Sequence, residues 1–110
     1  MNFTQEKING ALIKQVHLTY ATKEYAEKFK QFLMKDIENS NHIIADLSEC
    51  EFIDSTFISA LVTALKTVNQ KNGSLKIIAP HSNVKSVLEL TGMGKVFNIF
   101  SSREEALSAA

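Results

Sequence analysis

The sequence predicts an α/β fold, a mixed sheet of about four to five strands with about four helices packed against it. Three observations carry this expectation. Two short extended runs flank Asn9-Gly10 near the start of the chain, and from residue 42 onward short apolar runs alternate with segments of helical period. The chain has 110 residues, 45% hydrophobic and 22% charged, which suits one compact domain over residues 1–110 with enough core to fold without disulfides.

Residues 3–8 and 11–18 read as a hairpin, because Asn-Gly readily supplies the positive φ angles of a two-residue turn. From Thr22, a suitable N-cap, apolar residues at Tyr25, Phe29, Phe32, Leu33 and Ile37 mark one helical face, and the helix is expected to run to about Asn39. Residues 42–47 are almost continuously apolar up to Asp46, as in a central strand covered on both faces. A second helix follows, with Ile58, Leu61, Val62, Leu65 and Val68 on one face and its stop at Asn72-Gly73, where glycine can turn left-handed. Residues 75–79 form the next buried strand, ended by Pro80. Ser82 can cap a third helix that stops at Gly92, and residues 96–100 are the last strand. Ser101 and Ser102 each precede a glutamate by three residues, a doubled capping-box signature for a short final helix. Ile43, Ile44, Leu61, Leu65, Ile77 and Val87 are expected to share the core.

Charge narrows the function classes. Twelve Lys and Arg balance twelve Asp and Glu, and Arg103 is the sole arginine, so no nucleic-acid-binding face is implied. The N-terminal residues have neither a basic start nor an apolar stretch, and no run is long enough to span a bilayer; neither a signal peptide nor direct membrane insertion is expected. The lone Cys50 suits a reducing, cytoplasmic setting and reads as core filler. His17, His42 and His81 fall on different elements without metal-ligand spacing, and no cofactor is expected. The chain lacks G-x-S-x-G, P-loop and G-x-G-x-x-G patterns and the paired carboxylates of a receiver domain, so no enzymatic reading gains support.

The most informative segment is Phe52-Ile53-Asp54-Ser55-Thr56. Two apolar residues bring the chain to the edge of the core, and three small polar ones open a helix whose first N–H groups lack internal partners. Asp54 and Ser55 are first of all ordinary N-cap residue types; a hydroxyl at this point could also carry a phosphate, since the helix dipole favours the added charge. Asp46, at a strand end, could organise the same loop by accepting N–H bonds. Phe57 falls on the flank of the apolar face of its helix, either at the margin of the core or in contact with a partner, and with that flank position it is expected at or beside the partner surface.

The stretch IIADLSECEFIDST, followed by an apolar helix and then SLKIIAPHSNVKSVLELTGMGKVFNIFSSREEAL, resembles the STAS family, the domain of bacterial anti-sigma-factor antagonists. The resemblance runs from about Ile13 to Leu107. It implies a small α/β regulatory protein without enzymatic activity, which binds an anti-sigma-factor-type serine kinase related to histidine-kinase ATPases. It also implies phosphorylation of the serine after the aspartate, here Ser55 between Asp54 and Thr56, and dephosphorylation by a metal-dependent PP2C-type phosphatase. Asp46 matches the aspartate of the preceding strand. Two departures stand out: Phe57 occupies a position where the family usually has glycine, and the glycine usual after the second strand is replaced near Leu18-Thr19-Tyr20. The implied function is a phosphoswitch that binds its partner when Ser55 is free. The alternative is a structural STAS subunit that never cycles, as in a lipid-transport ATPase.

Overall fold

The structure, a computed structural model, describes residues 2–38, 40 and 42–109. Its main sheet has the strand order β1-β2-β4-β6-β7, with β1 Phe3–Ile8, β2 Ala11–Val16, β4 His42–Asp46, β6 Ser74–Ile78 and β7 Asn98–Phe100. The first pair is antiparallel and every later pair is parallel. A separate two-stranded parallel ladder joins β3 Tyr20–Ala21 to β5 Phe52–Ile53. The helices are α1 Lys23–Met34, α2 Ser55–Gln70, α3 Ser82–Leu90 and α4 Arg103–Ser108, with a 3-10 turn at Met93–Lys95. The mixed α/β architecture is the one the sequence predicts.

The β1–β2 hairpin turns where Asn-Gly predicts it, with φ of 52° at Asn9 and 83° at Gly10. Parity along the strands then divides the core. Leu12, Val16, Ile43, Ala45, Leu75 and Ile77 pack with α1, α2 and α3 on one face. On the other face Ile13, Ile44 and Ile78 pack beneath Ala106 of α4. Ile44 therefore does not share a cluster with Ile43, Leu61 and Ile77, because neighbouring residues of a strand point to opposite sides. Leu65 and Val87 lie at the margin of the larger cluster, partly buried.

Three helix boundaries differ from the expected ones. Helix α1 stops at Met34, Lys35 turns extended and Asp36 takes φ 62°; Asn39 lies outside the described residues. A long-range contact accompanies this stop: the Lys14 ammonium on β2 donates to the Lys35 carbonyl at 2.8 Å. At the end of α2 the left-handed residue is Asn72 (φ 58°), not Gly73. Asn72 N–H reaches the Asn69 carbonyl and Gly73 N–H the Val68 carbonyl, a complete Schellman motif. Helix α3 is capped by His81 rather than Ser82, its Nδ1 accepting the Asn83 N–H at 3.3 Å. Gly92 stops the segment after α3 with φ 78°, as expected. Of the two capping-box serines, Ser102 accepts the Glu105 N–H at 3.2 Å, whereas Ser101 Oγ receives Lys85 Nζ.

Candidate functional site

The short β3–β5 ladder brings two helix starts together. Ala21 leads within two residues into α1, and Ile53 leads through Asp54 into α2. Asp54 is extended (φ −106°, ψ 173°), and its N–H donates to the Ala21 carbonyl at 3.1 Å. One carboxylate oxygen accepts the Phe57 N–H at 2.9 Å, the expected N-cap bond. The other accepts the N–H of Lys23, the first residue of α1, at 2.7 Å. Asp54 thus caps both helices with one side chain.

Ser55 and Thr56 follow as the first two residues of α2, and both are exposed. Among the described residues neither hydroxyl is engaged in a hydrogen bond. Asp54 serves the Phe57 N–H, and its carbonyl serves the Ile58 N–H at 3.1 Å. The Ser55 and Thr56 N–H groups, one turn too early for an intrahelical acceptor, remain beside the free hydroxyls at the positive end of the helix dipole. The segment thus offers an accessible, unbonded hydroxyl in a setting that tolerates added negative charge.

Asp46 lies elsewhere. It is 8% exposed and shares its parity with Ile44, on the face covered by α4. One carboxylate oxygen accepts the Ser48 N–H at 3.0 Å and the Ser48 hydroxyl; the other is 3.4 Å from Arg103 Nη2. Arg103 Nη1 in turn meets Glu6 at 2.6 Å. Asp46 therefore shapes the turn that begins the 47–51 loop and anchors α4, and its carboxylate makes no bond to Asp54, Ser55 or Thr56.

The expectation that Phe57 touches a partner is corrected: its side chain is fully buried. The ring stacks on Phe29 of α1, with centroids 4.1 Å apart and planes 11° from parallel. Phe57, Ala60 and Ala64 recur at i, i+3 and i+7 and are all buried, a second apolar stripe beside the Ile58–Leu61 one that faces the sheet. A helix covered on two sides needs two stripes, and α1 is the second cover. The aromatic ring in place of the usual glycine fills the joint between α1 and α2.

Two features were missed from the sequence. Lys14 is fully buried, its ammonium donating to Gln5 Oε1 and the Lys35 carbonyl and lying 4.6 Å from the centre of the Phe32 ring. Burial lowers its pKa to about 8, opposed by Asp36 and assisted by Lys35. Its parity with Leu12 and Val16 was the available signal. The second feature is the outward side of the β3–β5 ladder, where Tyr20 and Phe52 are exposed. No local pattern announces a pairing between two-residue strands so far apart in the chain.

The remaining titratable groups are dispersed. Cys50 is buried, and desolvation, then the nearby Asp46 and Glu49, push its thiol up to about 12, so it is inert at neutral pH. His17 bridges Thr4 and Glu49, His42 meets Ser74, and His81 faces Glu51 at 3.9 Å. No group of three or more His, Cys, Asp or Glu suited to a metal ion occurs among the described residues.

The model of the STAS domain family matches residues 18–106, which include the β3–β5 ladder and the Asp54-Ser55-Thr56 helix start. The chain belongs to the STAS family. Among curated relatives, a Thermotoga neapolitana protein provisionally named an anti-sigma factor antagonist is 31% identical over 86 residues, 76% of each chain. The crystal structure of a Thermotoga maritima protein with the same provisional name superposes with a TM-score of 0.84 at 25% identity, over 96% of this chain and 91% of that one. The phosphorylated form of the Bacillus cell fate determinant SpoIIAA shares the fold, with a TM-score of 0.71 at 16% identity over 96% of each chain.

Proposed function

We propose that this chain is a regulatory binding protein of the anti-sigma-factor-antagonist type, switched by reversible phosphorylation of Ser55. Its partner is a serine kinase that holds ATP and the base; a PP2C-type phosphatase restores the free hydroxyl. The observation that carries this reading is the exposed Ser55 hydroxyl, unbonded at the start of α2, with Asp54 beside it committed to two backbone N–H groups. In the transfer, Ser55 Oγ bonds to the γ-phosphorus as the bond to ADP breaks, and the hydroxyl proton passes to the kinase. The chain supplies an acceptor and a surface, in keeping with a protein that is not itself an enzyme.

The switch works by charge. A phosphate adds about −1.5 to −2 at neutral pH, and at Ser55 it meets the free N–H groups of the first turn, so the fold tolerates it. A partner surface shaped around a neutral hydroxyl instead confronts this charge next to Asp54. A loss of about 2–4 kcal/mol there means roughly 30- to 1000-fold weaker binding. Phe57, one of the two departures from the family pattern, is buried against Phe29 and presents no side chain to a partner, so it does not by itself favour the alternative of a non-cycling structural subunit. Incubation with such a kinase and ATP, followed by location of the phosphate by mass spectrometry, tests the proposal: phosphate on Ser55 supports it, and an unmodified chain with every such kinase of its genome overturns it.

A further inference from the structure

We infer that Tyr20 and Phe52 form the aromatic anchor by which the phosphorylating kinase grips this protein, an inference that rests on the Ser55 reading. The two residues are register partners in the parallel β3–β5 ladder. Tyr20 is 65% and Phe52 46% exposed, while their inward neighbours Ala21 and Ile53 are 0% and 1% exposed. Adjacent strands lie about 4.8 Å apart, so the two residues leave the same small ladder as neighbours.

Backbone hydrogen bonds tie the ladder to its neighbours. Glu51 and Phe52 both donate their N–H groups to the Thr19 carbonyl, at 2.8 and 3.2 Å, and Asp54 N–H closes the ladder on Ala21. Asp54 then ties the same segment to α1 through Lys23. Aromatic side chains offer a large apolar area with only two side-chain torsions to fix on binding, and such residues dominate the energetics of many interfaces.

Geometry selects the occupant. A protein interface of standard size covers about 800 Å² per partner, a disc about 16 Å in radius. Phe52 is three residues from Ser55, at most about 10–11 Å away along an extended chain, and Tyr20 pairs with it. An interface of this size centred on the Ser55 hydroxyl reaches both residues. The other large exposed apolar residues among those described, Leu90 and Val96, belong to the end of α3 and the segment after the 3-10 turn, and they serve as an internal control.

The test uses the full chain and the histidine-kinase-related serine kinases encoded in the same genome, each purified with a non-hydrolysable ATP analogue. Tyr20→Ala and Phe52→Ala are expected to weaken binding to the kinase that phosphorylates Ser55 by about 10- to 100-fold each, with Leu90→Ala unchanged and the thermal unfolding of Tyr20→Ala close to native. Phe52→Tyr should restore affinity, and Tyr20→Ala with Phe52→Tyr keeps the test open if Phe52→Ala folds poorly. Phosphorylation of Ser55 with native affinity in the folded aromatic variants overturns this inference and leaves the phosphoswitch standing. Failure of every kinase to modify Ser55 overturns both. A free dimer that dissociates in sedimentation on Tyr20→Ala assigns the rings to a second copy and also overturns the inference.

Discussion

The carboxylate of Asp54 accepts the backbone N–H of Lys23 across 31 positions of sequence, at 2.7 Å, while its second oxygen caps its own helix at Phe57. One side chain therefore sets the relative placement of α1 and α2 at the point where the Ser55 hydroxyl is presented. The motif aspartate is a structural joint, its carboxylate engaged by two backbone N–H groups.

Replacing Asp54 with Ala should destabilise the fold by about 1–2 kcal/mol, the sum of a lost N-cap and a lost second N–H bond. Asp54→Asn should cost less, because the amide oxygen still accepts one of the two. Urea unfolding of the three forms measures this. Equal midpoints would show that the shared cap contributes nothing.

Phe57→Ala should cost about 3–5 kcal/mol, since it opens a cavity between α1 and α2 and removes the stacking partner of Phe29. Affinity of the folded fraction for a partner should stay native. Stability that is unchanged, with affinity reduced, would return Phe57 to the surface role first expected of it.

Ser55→Ala should bind the kinase but accept no phosphate, and Ser55→Asp should bind more weakly than native, though less weakly than the phosphorylated form, because a carboxylate carries less charge. All should unfold near the native temperature. Identical affinities for native, phosphorylated and Ser55→Asp protein would sink the switch.

Lys14 makes stability depend on alkaline pH. Its pKa falls from 10.5 to about 8 on folding, so between those values the unfolded chain holds a proton that the folded one has released. Stability from this group is therefore fully present above 10.5 and lost as pH falls through 8. Relative to Lys14→Met, the native protein should gain up to about 3 kcal/mol between pH 8 and 10.5 and show no trend between pH 6 and 7. The Cys50 thiol, raised to about 12, works in the opposite direction from pH 9 upward, but it is present in both forms and cancels in the difference. A pH-independent difference in urea unfolding free energy would refute the lowered pKa.

By itself the sequence determined what depends on neighbours along the chain. Asn9-Gly10 specified the hairpin through its φ angles, Gly92 the stop after α3, Ser102 the start of α4, and the Asp-Ser-Thr triplet the start of α2 with an exposed serine at its first position. Only the tertiary structure decided what depends on contacts made across the fold. Lys14 meets the end of α1 from a strand 21 positions away, α1 turns the flank of α2 into a second buried face and takes Phe57 inward, strand parity sends Asp46 to Arg103 on the far side of the sheet, and the β3–β5 ladder leaves its register partners Tyr20 and Phe52 exposed. Local φ preferences and periodicity act within a few residues, whereas burial belongs to a position in space that the chain reaches only after its elements have packed.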